Sequence, residues 1–273
     1  MLRCKNFQLS LIRPLVMGIV NVTPDSFSDG GHHASTAAAI AHARQLIADG
    51  ADILDIGGES TRPGAATVGT QEELDRVLPV IEGLHDISVP ISIDTWKLQV
   101  MRAALAAGAS MVNDINALQE EGTLAAVAAS DAAVCLMHKQ GVPQTMQQQP
   151  HYTDVIAEVS AFLSERIAAV EAAGIARDRI VIDPGFGFGK TLAHNLELLR
   201  ELESFCALGV PVLTGLSRKS MLGAITGRDV HERLAASVAA ALLAVQRGAA
   251  IVRVHDVRET VDALKVWDAI NKN

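Results

Sequence analysis

Val16-Met17-Gly18-Ile19-Val20-Asn21-Val22-Thr23-Pro24-Asp25-Ser26-Phe27-Ser28-Asp29-Gly30-Gly31 sets the pattern by which the rest of the chain can be read. An apolar, β-branched run of the kind that forms a buried strand breaks at Pro24 into small, acidic and glycine residues. The change suits a polar loop hanging from the carboxyl end of a core strand, with the Asn21 amide at the point of emergence. The same transition recurs downstream. Apolar runs stand at Val16–Val22, Ile53–Gly57, Pro90–Asp94, Met111–Ile115, Ala133–His138, Ile180–Asp183, Pro211–Leu216 and Ile251–His255. Between them lie helical stretches rich in Ala, Leu and Glu: Thr36–Ala48, Gln71–His85, Leu98–Ala107, Gly122–Ala129, Val155–Ala173, Leu192–Phe205 and Glu232–Gln246, with Val257–Ile270 as the last. Several of them stop where glycine follows, as at Asp49-Gly50, Ala107-Gly108, Ala173-Gly174 and Arg247-Gly248.

Strands alternating with helices call for a parallel sheet covered by helices. Eight such units favour closure into a TIM (β/α)8 barrel over an open α/β sheet. Residues Leu2–Ile12 are expected to form a short hairpin that caps the barrel bottom. No Pro/Ser linker, composition shift or low-complexity segment divides residues 1–273, so a single domain is expected.

Composition narrows the function. Hydrophobic residues make up 49% of the 273, enough for a large core. Aromatics at 3% argue against an aromatic nucleic-acid platform, and a formal net charge of -8 argues against a general polyanion-binding face. An anionic ligand would need a local basic pocket. Cys4, Cys135 and Cys206 lack the paired spacing of a disulfide framework or zinc site. No long apolar block follows Arg3, Lys5 and Arg13, and no stretch reaches membrane-spanning length without a charge or turn. A soluble, cytoplasmic protein that binds small molecules, and neither nucleic acid nor membrane, is the expectation.

In a barrel the carboxyl ends of the strands converge on one face. Read in order, those ends carry Asn21, Glu59 to Arg62, Asp94, Asn113-Asp114, His138, Asp183, Ser217 to Lys219, and Arg253 to Asp256. Each could be a satisfied structural group. Burying such groups unpartnered costs about 1–3 kcal/mol apiece, so their accumulation points to a polar ligand. Asp94 with Thr95 could equally cap a helix. Pro184-Gly185-Phe186-Gly187-Phe188-Gly189-Lys190 invites a phosphate-loop reading, but its spacing is wrong for one. The glycines better suit a backbone, with Phe188, turning close to a flat ligand. Ser217-Arg218-Lys219-Ser220 offers helix-start N–H groups and an ammonium to an anion, or else is a solvated basic turn. Arg253 and His255 lie two apart, hence on one strand face, where an inward arginine needs an anionic ligand or a neighbouring acid. His138 and His255 could serve as bases or metal ligands, though no spacing supports a tight transition-metal site. A loosely held Mg2+ shared with a diphosphate needs one or two protein oxygens.

The chain resembles the dihydropteroate synthase family. The resemblance is carried by Met17 to Gly31 of the opening stretch, Asp55-Ile56-Gly57-Gly58-Glu59-Ser60-Thr61-Arg62-Pro63-Gly64-Ala65, Ile91-Ser92-Ile93-Asp94-Thr95, Asn113-Asp114-Ile115, Leu136-Met137-His138, Asp183 to Lys190, Ser217-Arg218-Lys219-Ser220 and Arg253-Val254-His255-Asp256. It spans essentially the whole chain in order. It implies a (β/α)8 barrel that joins 4-aminobenzoate to (7,8-dihydropterin-6-yl)methyl diphosphate, with Mg2+ as cofactor, in a homodimer. By matched position it implies that Asp94, Asn113, Met137, Asp183 and Lys219 hold the pterin and that Asn21, Thr61, Arg253 and His255 hold the diphosphate. Thr61, Pro63, Phe188 and Ser220 would receive 4-aminobenzoate. Asp94, Lys219, Arg253 and His255 would carry the chemistry, Phe27 and Arg62 would act in loop closure, and Asn21 would bind the metal. Whether Asp25 or Asp29 joins it stays open. Trp96 and Lys139 depart from the family pattern without touching these positions. A pterin-dependent methyltransferase has no use for the Arg253 and His255 pair or the Thr61-Arg62-Pro63-Gly64 loop. A catalytically silent pterin-binding paralogue should have lost one or both.

Overall fold

The structure, a computed structural model, describes residues 1–22, 31–60, 67–142 and 145–271, with the backbone alone for 31–35. Strands β1 (Leu2–Cys4) and β2 (Phe7–Leu9) pair antiparallel as a hairpin. There follow β3 (Leu15–Asn21), α1 (Gly31–Ala48), β4 (Ile53–Gly57), α2 (Thr70–Glu82), β5 (Ile91–Asp94), α3 (Leu98–Ala107), β6 (Met111–Asp114), α4 (Thr123–Ala128), β7 (Ala133–Met137) and α5 (Val155–Ala172). The remainder is β8 (Ile180–Asp183), α6 (Leu192–Arg200), α7 (Glu203–Cys206), β9 (Leu213–Thr214), α8 (Ser220–Thr226), α9 (Leu234–Gln246), β10 (Ile251–Val254) and α10 (Val257–Asn271).

The eight strands from β3 to β10 run parallel in the order β8-β7-β6-β5-β4-β3-β10-β9. A parallel bridge between Ile182 and Val212 joins the two ends of this sheet and closes the ring. The expected TIM barrel is therefore the fold. Among the described residues no helix is long and apolar enough to cross a membrane.

Because side chains alternate across a strand, each barrel strand feeds two different cores. Val16, Val20, Leu54, Ile56, Ile93, Val112, Val134, Leu136, Ile182 and Val252 point outward and pack under the helices. Their neighbours Leu15, Met17, Ile53, Met111, Ala133, Cys135, Val181, Leu213 and Ile251 fill the lower part of the barrel. Leu2 and Cys4 join this inner cluster, both fully buried, so the hairpin does stopper the barrel bottom. One step further along the inward faces, the apolar residues give way to Asp55, Asp94, Asn113, Asp183 and Arg253.

Two elements differ from the sequence reading. The strand expected over Pro211–Leu216 is cut to Leu213–Thr214, since Pro211 has no N–H to give a ladder and Gly215 resists the extended state. The helix expected over Leu192–Phe205 breaks at Glu201, and the turn there lets Leu202 and Phe205 both be fully buried.

Candidate active site

Arg253 is the centre of the upper barrel layer. Its Nε donates to Asp55 Oδ2 at 2.5 Å and its Nη2 to Asp94 Oδ2 at 2.7 Å. Asn113 Nδ2 donates to the same Asp55 oxygen at 3.0 Å. Thus β4, β5, β6 and β10 are joined by one polar network across the barrel interior. Asp55 is fully buried, and its Oδ1 has no hydrogen-bond partner among the described residues. Burial works against the charge of Arg253, but the two carboxylates outweigh it and hold the guanidinium above its ordinary value.

Asp94 is under the opposite pressure. Burial, reinforced by the charge of Asp55 against the relief from Arg253, pushes its carboxyl up to about 7. A carboxyl whose folded value exceeds its unfolded one favours folding while protonated, and that contribution is lost as pH rises through about 7. The stability of Asp94→Asn relative to wild type should therefore rise with pH from about 4 to about 7 and level off above it in scanning calorimetry, since over that window the unfolded Asp94 carboxyl is ionised while the folded one is still protonated. A pH-independent gap would contradict this account.

Asp183 ends β8 on the same inward face, and Met137 ends β7 beside it in register. Asp183 Oδ1 accepts the Gly185 N–H at 2.7 Å. Burial raises its carboxyl, with the Lys219 ammonium acting against the shift. Lys219 is lowered in turn to about 8, by burial first, with Asp183 opposing. The Lys219 ammonium stands 4.3 Å from the centre of the half-buried Phe188 ring and donates to the Phe186 carbonyl. Beyond β10, His255 Nδ1 lies 3.0 Å from Ser217 Oγ, which also accepts the His255 backbone N–H at 3.2 Å. Asn21 ends β3, half-buried, and its register partner Gly57 lies against Asp94. Ser220 is the exposed first residue of α8. Phe27, Thr61, Arg62 and Pro63, with Asp25 and Asp29, lie outside the described residues.

The arrangement is a polar socket with opposed charges, floored by Asp55 and Arg253 and walled by Asp94, Asn113, Asp183 and Lys219. It can accept hydrogen bonds from a donor-rich heterocycle on one side and hold an anion near Arg253 and His255 on the other.

Residues 17–255 match the family model described as pterin binding enzyme. The chain is 52% identical over 262 residues to dihydropteroate synthase of Escherichia coli (strain K12), covering 96% of this chain and 93% of that one. It superposes with a TM-score of 0.94 on Xanthomonas albilineans dihydropteroate synthase solved with 4-aminobenzoic acid, at 58% identity over 99% of this chain and 97% of that one. The same enzyme in complex with 7,8-dihydropteroate gives a TM-score of 0.88 at 52% identity, covering 99% and 98%. The chain belongs to the dihydropteroate synthase family.

Within this family member, strand parity separates residues that the sequence placed together. Asp114 follows the inward Asn113 and so faces outward. Its oxygens accept the N–H groups of Asn116 at 2.7 Å and Leu118 at 2.8 Å, building a turn in which Ala117 and Leu118 both adopt positive φ. His138 also faces outward, edge-on to the Phe162 ring at 5.0 Å, and burial with the charge of Lys190 lowers it to about 3. It is no base or metal ligand of the socket. Glu59 turns to Lys97, 2.9 Å away, and Lys97 is also paired with the buried Glu73. Trp96, the departure noted above, donates to Glu59 as well, at 3.2 Å. Arg218, half-buried, is committed to a partner within the chain. Its guanidinium bonds Asp256 twice, from a left-handed backbone at φ 58°.

The phosphate-loop reading also fails on contact. Lys190 turns back on its own loop, donating to Gly185 O at 2.9 Å and Phe188 O at 3.1 Å. The glycines are there for close approach: a Cβ on Gly185 would lie 1.8 Å from the His138 carbonyl oxygen, at a φ of +72°. Gly185→Ala is expected to cost at least about 2 kcal/mol in a denaturant titration, because both the backbone and its neighbour must move. The residue the sequence reading missed is Asp55. Its signal was present in Ile53-Leu54-Asp55-Ile56-Gly57, an acid inside an apolar strand and in phase with the inward Ile53.

Proposed function

We propose that this chain condenses 4-aminobenzoate with (7,8-dihydropterin-6-yl)methyl diphosphate, giving 7,8-dihydropteroate and diphosphate in folate biosynthesis. The observation that carries the reading is the socket itself, in which Asp94, Asn113, Asp183 and Lys219 gather around one half-buried arginine at the mouth of a barrel of this family. The relative from Xanthomonas albilineans solved with 4-aminobenzoic acid, and again with 7,8-dihydropteroate, supports the substrate pair.

The pterin presents a guanidine-like donor edge, which the Asp183 carboxylate would receive in paired hydrogen bonds. Asn113 and Asp94 would take further ring groups, Lys219 would donate to the ring carbonyl, and Met137 would supply apolar contact. Arg253 has two N–H groups committed to Asp55 and Asp94. Its remaining donors, with His255, Asn21 and Thr61, would grip the diphosphate. Asn21 fits a magnesium ion: one hard amide oxygen at a half-exposed strand end is what the ion takes from a protein when phosphate and water supply the rest. When bound, Mg2+ would add its charge to the stabilisation of the departing diphosphate.

The C–O bond from the methylene to the diphosphate breaks first, and Arg253 and His255 stabilise the charge that leaves. The methylene cation is spread over the pterin and stabilised by the Asp94 carboxylate. The arylamine nitrogen then forms the C–N bond and releases its proton to the medium. As the amine is already a neutral nucleophile, no strong base is required. Phe188, Ser220, Thr61 and Pro63 would seat the aminobenzoate, while Phe27 and Arg62 act in loop closure that keeps water from the cation. A cytoplasmic homodimer is the corresponding expectation for the assembly.

A coupled assay of diphosphate release tests the reading. Release should depend on 4-aminobenzoate and should yield dihydropteroate. Release at equal rates with and without 4-aminobenzoate, or none at all, would defeat it.

A further inference from the structure

From Gly185 to Gly189 the loop between β8 and α6 is held carbonyl by carbonyl. Gly185, Gly187 and Gly189 all take positive φ, which turns successive carbonyls in different directions. Each is met by a side chain. Lys190 takes those of Gly185 and Phe188, Lys219 that of Phe186, Gln147 that of Gly187, and Tyr152 Oη that of Gly189 at 3.0 Å. Lys190 is the member with least reason to exist on packing grounds. It is 2% exposed, and among the described residues no carboxylate lies within ion-pair distance of it. A buried ammonium without a counter-ion is costly, and Met or Leu would fill the space without that cost.

The third Lys190 donor goes to His138 Nδ1, 3.0 Å away. An ammonium can only donate, which fixes Nδ1 as the acceptor and leaves the proton on Nε2. The His138 ring is itself fixed edge-on against Phe162. Its backbone N–H is held by the carbonyl of Asp183 at 2.9 Å. A rigid histidine thus sets the position of the lysine, and the lysine sets the carbonyls on either side of Phe186 and Gly187.

Building on the reaction proposed above, we propose that Lys190 and His138 are positioning residues: they clamp the glycine-rich loop so that Phe188 stands against the Lys219 ammonium and receives the aminobenzoate ring. Asp183 ends β8 and Lys219 precedes α8, so both are carried by elements outside the clamp, although each also bonds the loop, at the Gly185 N–H and the Phe186 carbonyl. Loss of the clamp therefore acts far more on the aminobenzoate site, which rests on Phe188, than on the pterin site. Burial lowers Lys190 to about 7, with the Asp183 charge opposing, as expected of a buried lysine whose hydrogen-bond partners are neutral.

The test uses the full chain and the variants Lys190→Met, His138→Leu and His138→Asn, the last of which sets an oxygen where Nδ1 sits. Lys190→Met and His138→Leu should raise KM for 4-aminobenzoate by about tenfold, while the calorimetric Kd for the pterin diphosphate stays within about twofold of wild type. His138→Asn should restore KM to within about twofold of wild type. If Lys190→Met does not fold, the His138 pair decides. A wild-type KM in His138→Leu, or equal losses for both substrates, overturns the clamp. So does a His138→Asn variant no better than His138→Leu. Absence of 4-aminobenzoate-dependent release in the wild-type protein would instead defeat the reaction on which the clamp rests.

Discussion

Asp183→Asn should abolish pterin binding measurable by calorimetric titration while leaving the barrel folded. Asparagine has nearly the same shape and keeps an oxygen for the Gly185 N–H, so the turn after β8 survives. What changes is the face offered to the ligand: two acceptors become one acceptor and one donor, and the donor opposes the N–H edge of the pterin. Each charge-assisted hydrogen bond lost is worth about 1.5–3 kcal/mol, so affinity should fall by at least about a hundredfold. Lys219 also loses the carboxylate that offsets its burial, and its pKa should drop below the present value of about 8. Unchanged affinity in this variant would remove Asp183 from the pterin site.

Arg253→Met should damage folding and turnover together. The sequence offered two partners for it, an anionic ligand or a neighbouring acid, and losing the grip on the leaving diphosphate alone would cost about 1.5–3 kcal/mol. The structure supplies the neighbouring acids, because Arg253 is the counter-ion of both Asp55 and Asp94. Removing one partner of a buried ion pair costs about 3–5 kcal/mol. A fall in stability of that size in denaturant titration is expected, with kcat/KM reduced at least about a hundredfold. Adding Asp55→Asn to Arg253→Met should recover part of the stability and none of the turnover. If Arg253→Met kept wild-type stability, the ion-pair network described here would be wrong. If it kept wild-type kcat/KM, the diphosphate assignment would fall.

The barrel was legible because its strands are short, apolar and β-branched, and because glycine marks the helix ends. Gly50, Gly108, Gly174 and Gly248 all take the positive φ that such stops require. The site was legible in part. Asp94, Asn113, Asp183 and Arg253 stand on inward faces at strand ends, where position along the chain and position in space coincide. Asp114 and His138 looked alike in sequence, yet the two-residue period turns them to the helix side. Applying that period, which already paired Arg253 with His255, to every strand would have found Asp55 and dismissed Asp114. No periodicity could have found the bond from Arg218 to Asp256 or that from Lys97 to Glu59, since each joins segments distant in the chain.

The hairpin at the barrel bottom bears on the chemistry far above it. With Leu2 and Cys4 wedged among Met17, Ile53 and Met111, the interior is closed from below among the described residues. Every charge on its floor is consequently felt at low dielectric, so an event at the mouth that expels water will strengthen Asp55, Asp94 and Arg253 together. An opening drilled from beneath, by trimming residues 1–9, would quench that field without touching a single group that meets substrate.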